Sequence, residues 1–254
     1  YIGDWGTQFG KLIAYYKDLY PEWDNKKSIP DAVKLLSMYI TASKDIAYEE
    51  KGRQEFLKLE QGDKHSLKLW KLFRAQSIED IQLIYKVLSI NFDFKKDIAK
   101  GESDYEPKLK SLVDDLKKKS FTKESEGALI IELENLPPAM LRKSDGATLY
   151  ITRDIASLED RIKNYNPAKI LYIVANQQAL HFEQLFAIAK KLGWAGRELI
   201  HVKFGMVLGE DGKKLATREG KVIPLQEVID KLNDLALDTV KEKNPDLGDE
   251  EAEK

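Results

Sequence analysis

The sequence predicts an α/β protein built around a parallel β-sheet, and two observations support this fold class. From about Gly127 onward, apolar segments of four to seven residues alternate with segments of helical periodicity. The segment KILYIVA, residues 169–175, is apolar almost throughout. Strand–helix alternation with continuously apolar strands is typical of a parallel sheet that helices cover on both faces.

The first third of the chain is predicted to be helical. Apolar residues keep helical spacing over residues 5–19, and Pro21 ends that helix. Helix-start signals then open three further helices. Ser28, with Pro30 and Asp31 just inside, opens one long helix that runs through residues 31–60. Asp63 caps the next, and a capping box of Ser77 with Asp80 precedes the last.

The middle of the chain links this helical part to the predicted sheet. We expect a short strand at INFDF (90–94), a polar loop over residues 95–106 and an amphipathic helix from Pro107. The lysine run 117–119 closes that helix and is interpreted as its solvated end, where cations favour the helix dipole. The predicted sheet strands are ALIIEL, ATLYI, ILYIVA and LIHVKF, and a glycine-rich loop and a last helix follow them.

Composition restricts the class of protein. The 254 residues are 43% hydrophobic and 33% charged, which is ordinary for a globular protein, and the net charge of −2 gives no global basic field for nucleic acid. The absence of cysteine excludes disulfides and thiolate metal sites, and three scattered histidines form no zinc signature. No apolar run reaches the roughly 18 residues of a membrane span. A cytoplasmic enzyme or binding protein remains, with no resident metal expected.

Polar side chains follow three predicted strands: residues 150–154, 176–181 and 204–207. Because ligands bind at the carboxyl ends of strands in open parallel sheets, these segments predict a site for a small polar ligand. Each segment also has a simpler interpretation. Asp154 would only favour a helix N-terminus that Thr152 caps, Gln177 and Gln178 would only start a helix, and His181 would be a packing residue.

A glycine-rich basic loop follows the last strand, in the stretch KFGMVLGEDGKKLATREGKV (203–222). Lys213, Lys214 and Arg218 place three cations in it. Such a loop could close over a polyphosphate and neutralise charge as a phosphoryl bond breaks. The alternative interpretation is a solvated turn.

Several segments in order resemble the catalytic domain of the arginyl-tRNA synthetase family. They are GDWGTQFGKLIAYY, Phe92–Phe94 with Gly101–Ser103 and Tyr105, LRKSDGATLYITRDIASLEDR, YIVANQQALHFEQLF and HVKFGMVLGEDGKKLATREG. The resemblance implies a class I synthetase with a Rossmann-like sheet. It also implies a division into a helical part of the catalytic domain (1–75), a connective insertion (76–145), the second half of the Rossmann-like domain (146–243) and an acidic tail (244–254).

The resemblance further implies an activity and residue roles. The activity is ATP-dependent activation of L-arginine and its transfer to the arginine-accepting tRNA, with Mg²⁺ accompanying ATP. Tyr150 and Asp154 match the family's recognition pair for the guanidinium, and Gln178 matches a contact to the amino-acid part of the substrate. Residues implied for ATP are His181, Phe204, Gly205, Met206 and Val207. Those of a KMSKS-like loop are Lys213, Lys214, Thr217 and Arg218.

The chain departs from the family pattern in two ways. Thr217 stands where KMSKS has its second lysine, and no HIGH motif is present. We therefore expect a fragment of the catalytic domain, with its sheet incomplete at the N-terminal side and without the anticodon-binding domain. Since transition-state stabilisation needs both halves of the site, this chain alone is expected not to form the adenylate.

Two alternatives from other classes stay open. One is a non-catalytic arginine- or nucleotide-binding paralogue that keeps Tyr150, Asp154 and Gln178 without the chemistry. The other is a helical interaction scaffold, which the first 120 residues suggest but which leaves the polar strand ends unexplained. The full-length protein is expected to be a monomer with no membrane association.

Overall fold

The computed structural model describes most of the chain, and these residues divide into two compact units. The described residues are 1–25, 29–92, 94, 99–144, 146–194, 196–205, 225–244 and 248. One unit comprises residues 1–4 with the described residues between 100 and 214, and the other comprises residues 5–99 with the described residues after 215. None of the helices in these ranges is both long and apolar enough to cross a membrane.

The unit that contains residues 5–99 is helical. Its helices are α1 (Thr7–Leu19), α2 (Ala32–Lys44), α3 (Ala47–Glu60), α4 (Lys64–Val87) and, later in the chain, α8 (Leu225–Lys243). Large apolar side chains form its core, with Ile13, Tyr16 and Phe73 fully buried. The rings of Tyr16 and Phe73 meet edge to face with centroids 5.1 Å apart, a favoured geometry for aromatic pairs.

The predicted first helix and the predicted cap Asp63 are confirmed, whereas the long second helix is wrong, and Asp31, which was expected just inside it, is itself a cap. Asp31 and Asp63 each accept a hydrogen bond from the backbone three residues on, at 2.8 Å, and so cap α2 and α4. Ser28 lies outside the described residues. The segment 31–60 forms two helices because Asp45 is extended and its side chain accepts from Ala47 N at 2.9 Å, which starts α3.

The predicted capping box at Ser77 is also wrong, since α4 continues through this position. The Ser77 hydroxyl donates to the carbonyl oxygen of Phe73 one turn back, at 2.9 Å, instead of capping a new helix. Asp80 accepts from Ala32 N at 2.6 Å, at the start of α2. The Asp80 carboxylate, which the local pattern assigned to the start of a new helix, thus forms a long-range hydrogen bond with the start of α2.

The predicted strand at INFDF is not observed in residues 90–92 and 94, which the structure describes. Phe92 and Phe94 instead pack with Tyr85 of α4, with ring centroids 4.9–6.3 Å apart. The apolar residues of this segment therefore pack in an aromatic cluster and do not form a strand.

Helices α1 and α3 approach each other at two glycines. A Cβ atom on Gly10 would lie 2.0 Å from the carbonyl oxygen of Gly52 and 2.9 Å from Phe56. Side chains at this crossing would force the helices apart, so the sequence needs glycine for close packing here.

The other unit contains the strands of the described chain. Its elements are α5 (Glu106–Lys118), β1 (Lys123–Ser125), β2 (Ala128–Leu133), β3 (Leu136–Arg142), α6 (Tyr150–Tyr165), β4 (Lys169–Ala175), α7 (Ala179–Lys191) and β5 (Glu198–Phe204). The start of α5 at Glu106, one residue before Pro107, confirms the predicted amphipathic helix, and Lys117 and Lys118 occupy its last turn. Single 3₁₀ turns lie at Glu102–Asp104 and Asn176–Gln178.

The α/β class is confirmed, with a parallel pair of β4 and β5 that α7 connects. Two of the four predicted parallel strands are wrong. β2 pairs antiparallel with β1 and β3, because positive φ angles at Glu126, Gly127 and Asn135 form tight turns on either side of it. In residues 147–151, only a single bridge between Arg142 and Thr148 forms, and helix α6 already begins at Tyr150.

Helix α6 lies at the centre of this unit. Ile155 and Leu158 are fully buried, in one cluster with residues of α5, the antiparallel sheet and α7. Neighbours on several sides hold α6 in place, so the polar side chains on its remaining face are held by a rigid element.

Candidate active site

Asp154 is presented by α6, one turn after the helix begins at Tyr150. The N-cap residue is Leu149, which makes no side-chain cap. Thr152 is therefore not the cap that the simpler interpretation assumed. Its hydroxyl is buried and donates to the carbonyl oxygen of Leu141 in β3, at 2.6 Å, which ties the first turn of α6 to the antiparallel sheet.

Asp154 contacts His181, which lies in the first turn of α7. Nε2 of His181 is 2.6 Å from Oδ2 of Asp154, and both side chains are about one-fifth exposed, 21% and 20%. Since a carboxylate oxygen accepts, the imidazole nitrogen donates. The structure thus brings together two of the predicted site residues and gives Asp154 a partner other than the helix dipole.

A second carboxylate, Glu102, lies in the electrostatic field of Asp154. The Glu102 side chain is half-buried, and its Oε2 atom is buried without a hydrogen-bond partner in the described chain. Burial raises the pKa of Glu102 to about 7; Arg153 opposes this shift, while Asp154, Asp4 and Glu106 add to it. A buried carboxylate oxygen with no donor is costly, and a cationic ligand would relieve that cost.

The first residues of the chain hold Glu102 in position. Ile2 N donates to the carbonyl oxygen of Lys100 at 2.9 Å, and Glu102 N donates to that of Ile2 at 3.0 Å. Asp4 accepts from the backbone N of Ser103 at 3.0 Å and from its hydroxyl at 2.8 Å. Sequence reasoning did not single out Glu102, because these contacts join residues about a hundred positions apart; its place in the quoted Gly101–Ser103 motif was the available signal.

The positive charge of Arg153 near these carboxylates is already matched. Its side chain is 9% exposed, and its Nε and Nη2 atoms donate to Oε2 of Glu106 at 3.1 and 2.9 Å. Arg153 therefore forms its ion pair with Glu106 and acts on Glu102 through its charge. Neither Asp154 nor Glu102 forms an ion pair with an arginine or lysine in the described chain.

Tyr1 lies in the field of the two carboxylates and contacts Arg161. The guanidinium of Arg161 lies 5.6 and 5.5 Å from the ring centroids of Tyr1 and Tyr172 and donates to the Tyr172 hydroxyl at 3.3 Å. The pKa of the Tyr1 phenol is raised, first by burial and then by the charges of Asp154 and Glu102. Tyr1 was not predicted either, because its approach depends on the tertiary fold.

The other predicted residues lie at the same edge of the unit or outside the described ranges. Tyr150 is 59% exposed at the start of α6, and Gln178 ends the 3₁₀ turn that follows β4. Phe204 pairs in register with Ala175, so the ends of β4 and β5 and the exposed Gly205 lie side by side. The predicted residues that fall outside the described ranges are Met206, Val207, Lys213, Lys214, Thr217 and Arg218.

Comparison with known proteins identifies a family for this architecture. The whole chain, residues 1–254, matches the family described as tRNA synthetases class I (R), catalytic domain. Arginine–tRNA ligases of Exiguobacterium sibiricum and Lactobacillus acidophilus are 40% and 42% identical to it. Each alignment covers 99% of this chain and 45% of the relative, so the chain spans less than half the length of these curated relatives.

Solved structures show the same fold. The crystal structure of arginyl-tRNA synthetase from Plasmodium falciparum matches 96% of this chain and 39% of its own, with a TM-score of 0.78 and 29% identity. That of Thermus thermophilus arginyl-tRNA synthetase matches 100% of this chain and 48% of its own, with a TM-score of 0.69. At 19% identity the second supports the fold alone.

Proposed function

The chain belongs to the catalytic-domain family of class I tRNA synthetases for arginine, and from this premise we propose that the protein is an arginine–tRNA ligase. It would activate L-arginine with ATP and transfer it to the arginine-accepting tRNA. The observation that carries the proposal is the pair of carboxylates, Asp154 and Glu102, which interact electrostatically in partly buried positions and form no ion pair with an arginine or lysine in the described chain.

Two carboxylates suit a guanidinium ligand for reasons of charge and shape. A guanidinium presents five N–H donors in a planar fork, and carboxylate oxygens accept such donors in pairs. A bound cation would also favour the ionised form of Glu102, whose pKa burial raises to about 7 in the free protein. Lysine carries the same charge but on a compact ammonium, which cannot bridge two carboxylates with parallel donor pairs.

The remaining pocket roles rest on the family resemblance and on position. We assign Tyr150 to the guanidinium and Gln178 to the amino-acid end of arginine, because both lie at the edge of the unit that carries Asp154. ATP would meet the backbone of Phe204 and Gly205 at the end of β5 and, as the family resemblance implies, that of Met206 and Val207. The adjacent ends of parallel strands are where such folds bind nucleotides.

The phosphates of ATP would be bound by the KMSKS-like loop. Lys213, Lys214 and Arg218 supply cations for the leaving pyrophosphate, with Thr217 in place of a lysine. Mg²⁺ would enter on the phosphates themselves, as it commonly does in nucleotide sites. We also propose that the protein works in the cytoplasm, where arginine, ATP and tRNA meet.

The proposed substrate can be tested by calorimetry with three ligands. Arginine should bind to the protein, and citrulline, which keeps the length and planarity but has no charge, should bind about 2–5 kcal/mol more weakly, as when a buried charge pair loses one partner. Lysine carries the same charge as arginine but lacks the planar fork of donors, and it should therefore also bind more weakly than arginine. Equal binding of citrulline and arginine would show that the carboxylates do not select a cation, and no arginine binding would overturn the substrate.

His181 provides a separate test of how the pocket is built. The resemblance assigns it to ATP, whereas its contact with Asp154 indicates that it orients the carboxylate for the guanidinium. We expect His181→Ala to weaken arginine binding about tenfold, because a charge-assisted hydrogen bond is lost. His181→Gln, whose side-chain nitrogen can take the place of Nε2, should restore much of the affinity. ATP affinity measured on the same variants should stay unchanged; if it falls while arginine binding is retained, His181 contacts ATP.

A further inference from the structure

The helical unit carries a basic surface that the proposed arginine site does not use. Lys64, Lys68 and Lys71 follow one another at helical spacings of four and three residues, so they share one face of α4. Together with Leu67 and Leu72 they line an open groove of about 390 Å³. We define these three lysines as the α4 basic face.

The charge of this segment differs from that of the whole chain. Residues 64–78 contain four lysines and arginines and no aspartate or glutamate, whereas the net charge of the chain is −2. Lys64 and Lys71 have no ion pair or hydrogen bond with another described residue. Lys68 pairs with Asp24. Two of the three cations on this face are thus available to an external anion.

Aromatic rings border the lysines. The Lys68 ammonium lies 5.6 Å from the centre of the Trp23 ring, and the His65 ring meets Trp23 edge to face with centroids 6.2 Å apart. Cations beside half-exposed rings and exposed leucine, such as Leu72 at 40%, suit a ligand with charged phosphates and flat, partly apolar groups.

We infer that the α4 basic face binds the phosphate backbone of RNA, and specifically of the tRNA substrate. Lys64 and Lys71 are about 10 Å apart along the helix axis, at ~1.5 Å per residue. A nucleic-acid strand carries several phosphates over such a length, so Lys64 and Lys71 can each meet a phosphate of the same backbone. The identity of the RNA depends on the proposed function, and the location of the contact does not.

The test is binding of fluorescently labelled arginine-accepting tRNA, measured by anisotropy over a series of salt concentrations. The variant carries Lys64→Gln and Lys71→Gln, and a control with the same net charge carries Lys110→Gln and Lys118→Gln, two exposed lysines of α5. The α4 variant should bind about tenfold more weakly at low salt. Its log–log salt slope should be smaller by about 1.4–1.8, since each lost phosphate contact removes roughly 0.7–0.9. The control should match the unsubstituted protein.

Each outcome separates this inference from the proposed function. Equal loss in both variants, or no loss in the α4 variant, would overturn the contact on α4, and so would an absence of tRNA binding by the unsubstituted protein. Polyglutamate, added at the same total charge as the tRNA, serves as a competitor. If it displaces the tRNA, the α4 basic face does not select RNA and an acidic protein segment is its ligand instead. Calorimetry with arginine on the same samples tests the pocket independently. Intact arginine binding in the α4 variant also shows that the variant is folded.

Discussion

Asp154→Asn is expected to weaken the binding of L-arginine by about 2–5 kcal/mol, the cost of truncating one partner of a buried charge pair. Asparagine has the same shape as aspartate and keeps an oxygen that can accept from His181, so the helix and its neighbours should stay in place. The negative charge is lost, however, and an amide N–H₂ now faces the N–H donors of the guanidinium. Titration calorimetry on the folded variant measures this loss directly.

Asp160→Asn is a matched control on the same helix. Asp160 is also buried and accepts from Lys108 at 2.7 Å and from Asn164 at 3.1 Å, but it has no contact with His181 in the described structure. This control should lower the free energy of unfolding and leave arginine binding nearly unchanged. If Asp154→Asn is folded and binds arginine as tightly as the native protein, the carboxylate serves only to pair with His181.

Arginine affinity is expected to rise about thirtyfold between about pH 5.5 and about pH 8, because Glu102 must lose its proton to bind a guanidinium. The raised pKa of about 7 means that free Glu102 is protonated below that pH and ionised above it. A bound cation favours the ionised carboxylate, so binding at low pH must also displace a proton. The affinity is therefore lost as the pH falls through about 7 and is constant well above it.

Glu102→Gln should remove most of this pH dependence. The variant should bind arginine more weakly than the native protein at about pH 8 and change little down to about pH 5.5. The free energy of unfolding at about pH 8 should not fall, because glutamine replaces a carboxylate whose ionised form is disfavoured by burial. An unchanged pH profile in Glu102→Gln would show that Glu102 does not contact the ligand.

Several elements of the site could be predicted from the sequence because their signals are local. The apolar run of residues 169–175 specified β4, and the helical periodicity after it specified α7. The polar residues Gln178 and His181 lie at the join between them, where a parallel fold places its ligands. Asp154 was predicted at the end of a strand over residues 147–151 that does not form, and only its place at the start of the strongly amphipathic helix α6 agrees with the structure. Local pattern and tertiary structure agree at these positions.

Other local patterns were misleading because long-range contacts outweighed them. The Ser77 and Asp80 pattern is a sound capping box by itself, yet packing continues α4 through it and Asp80 binds the start of α2 instead. The apolar segment 128–133 has the composition of a buried parallel strand. Turn residues on either side made it antiparallel, and periodicity does not distinguish these two kinds of strand.

The sequence by itself determined the α/β class and the order of β4, α7 and β5, and it placed Asp154 and His181 among the candidate site residues. Only the tertiary structure decided that Asp154 pairs with His181 and that Glu102 and Tyr1 lie in the field of Asp154, since hydrogen bonds from Ile2 to Lys100 and from Glu102 to Ile2 connect segments about a hundred residues apart. The physical reason is the range of the forces involved. Capping and periodicity act within a few residues, whereas the pKa of Glu102 depends on burial and on charges that folding alone brings near.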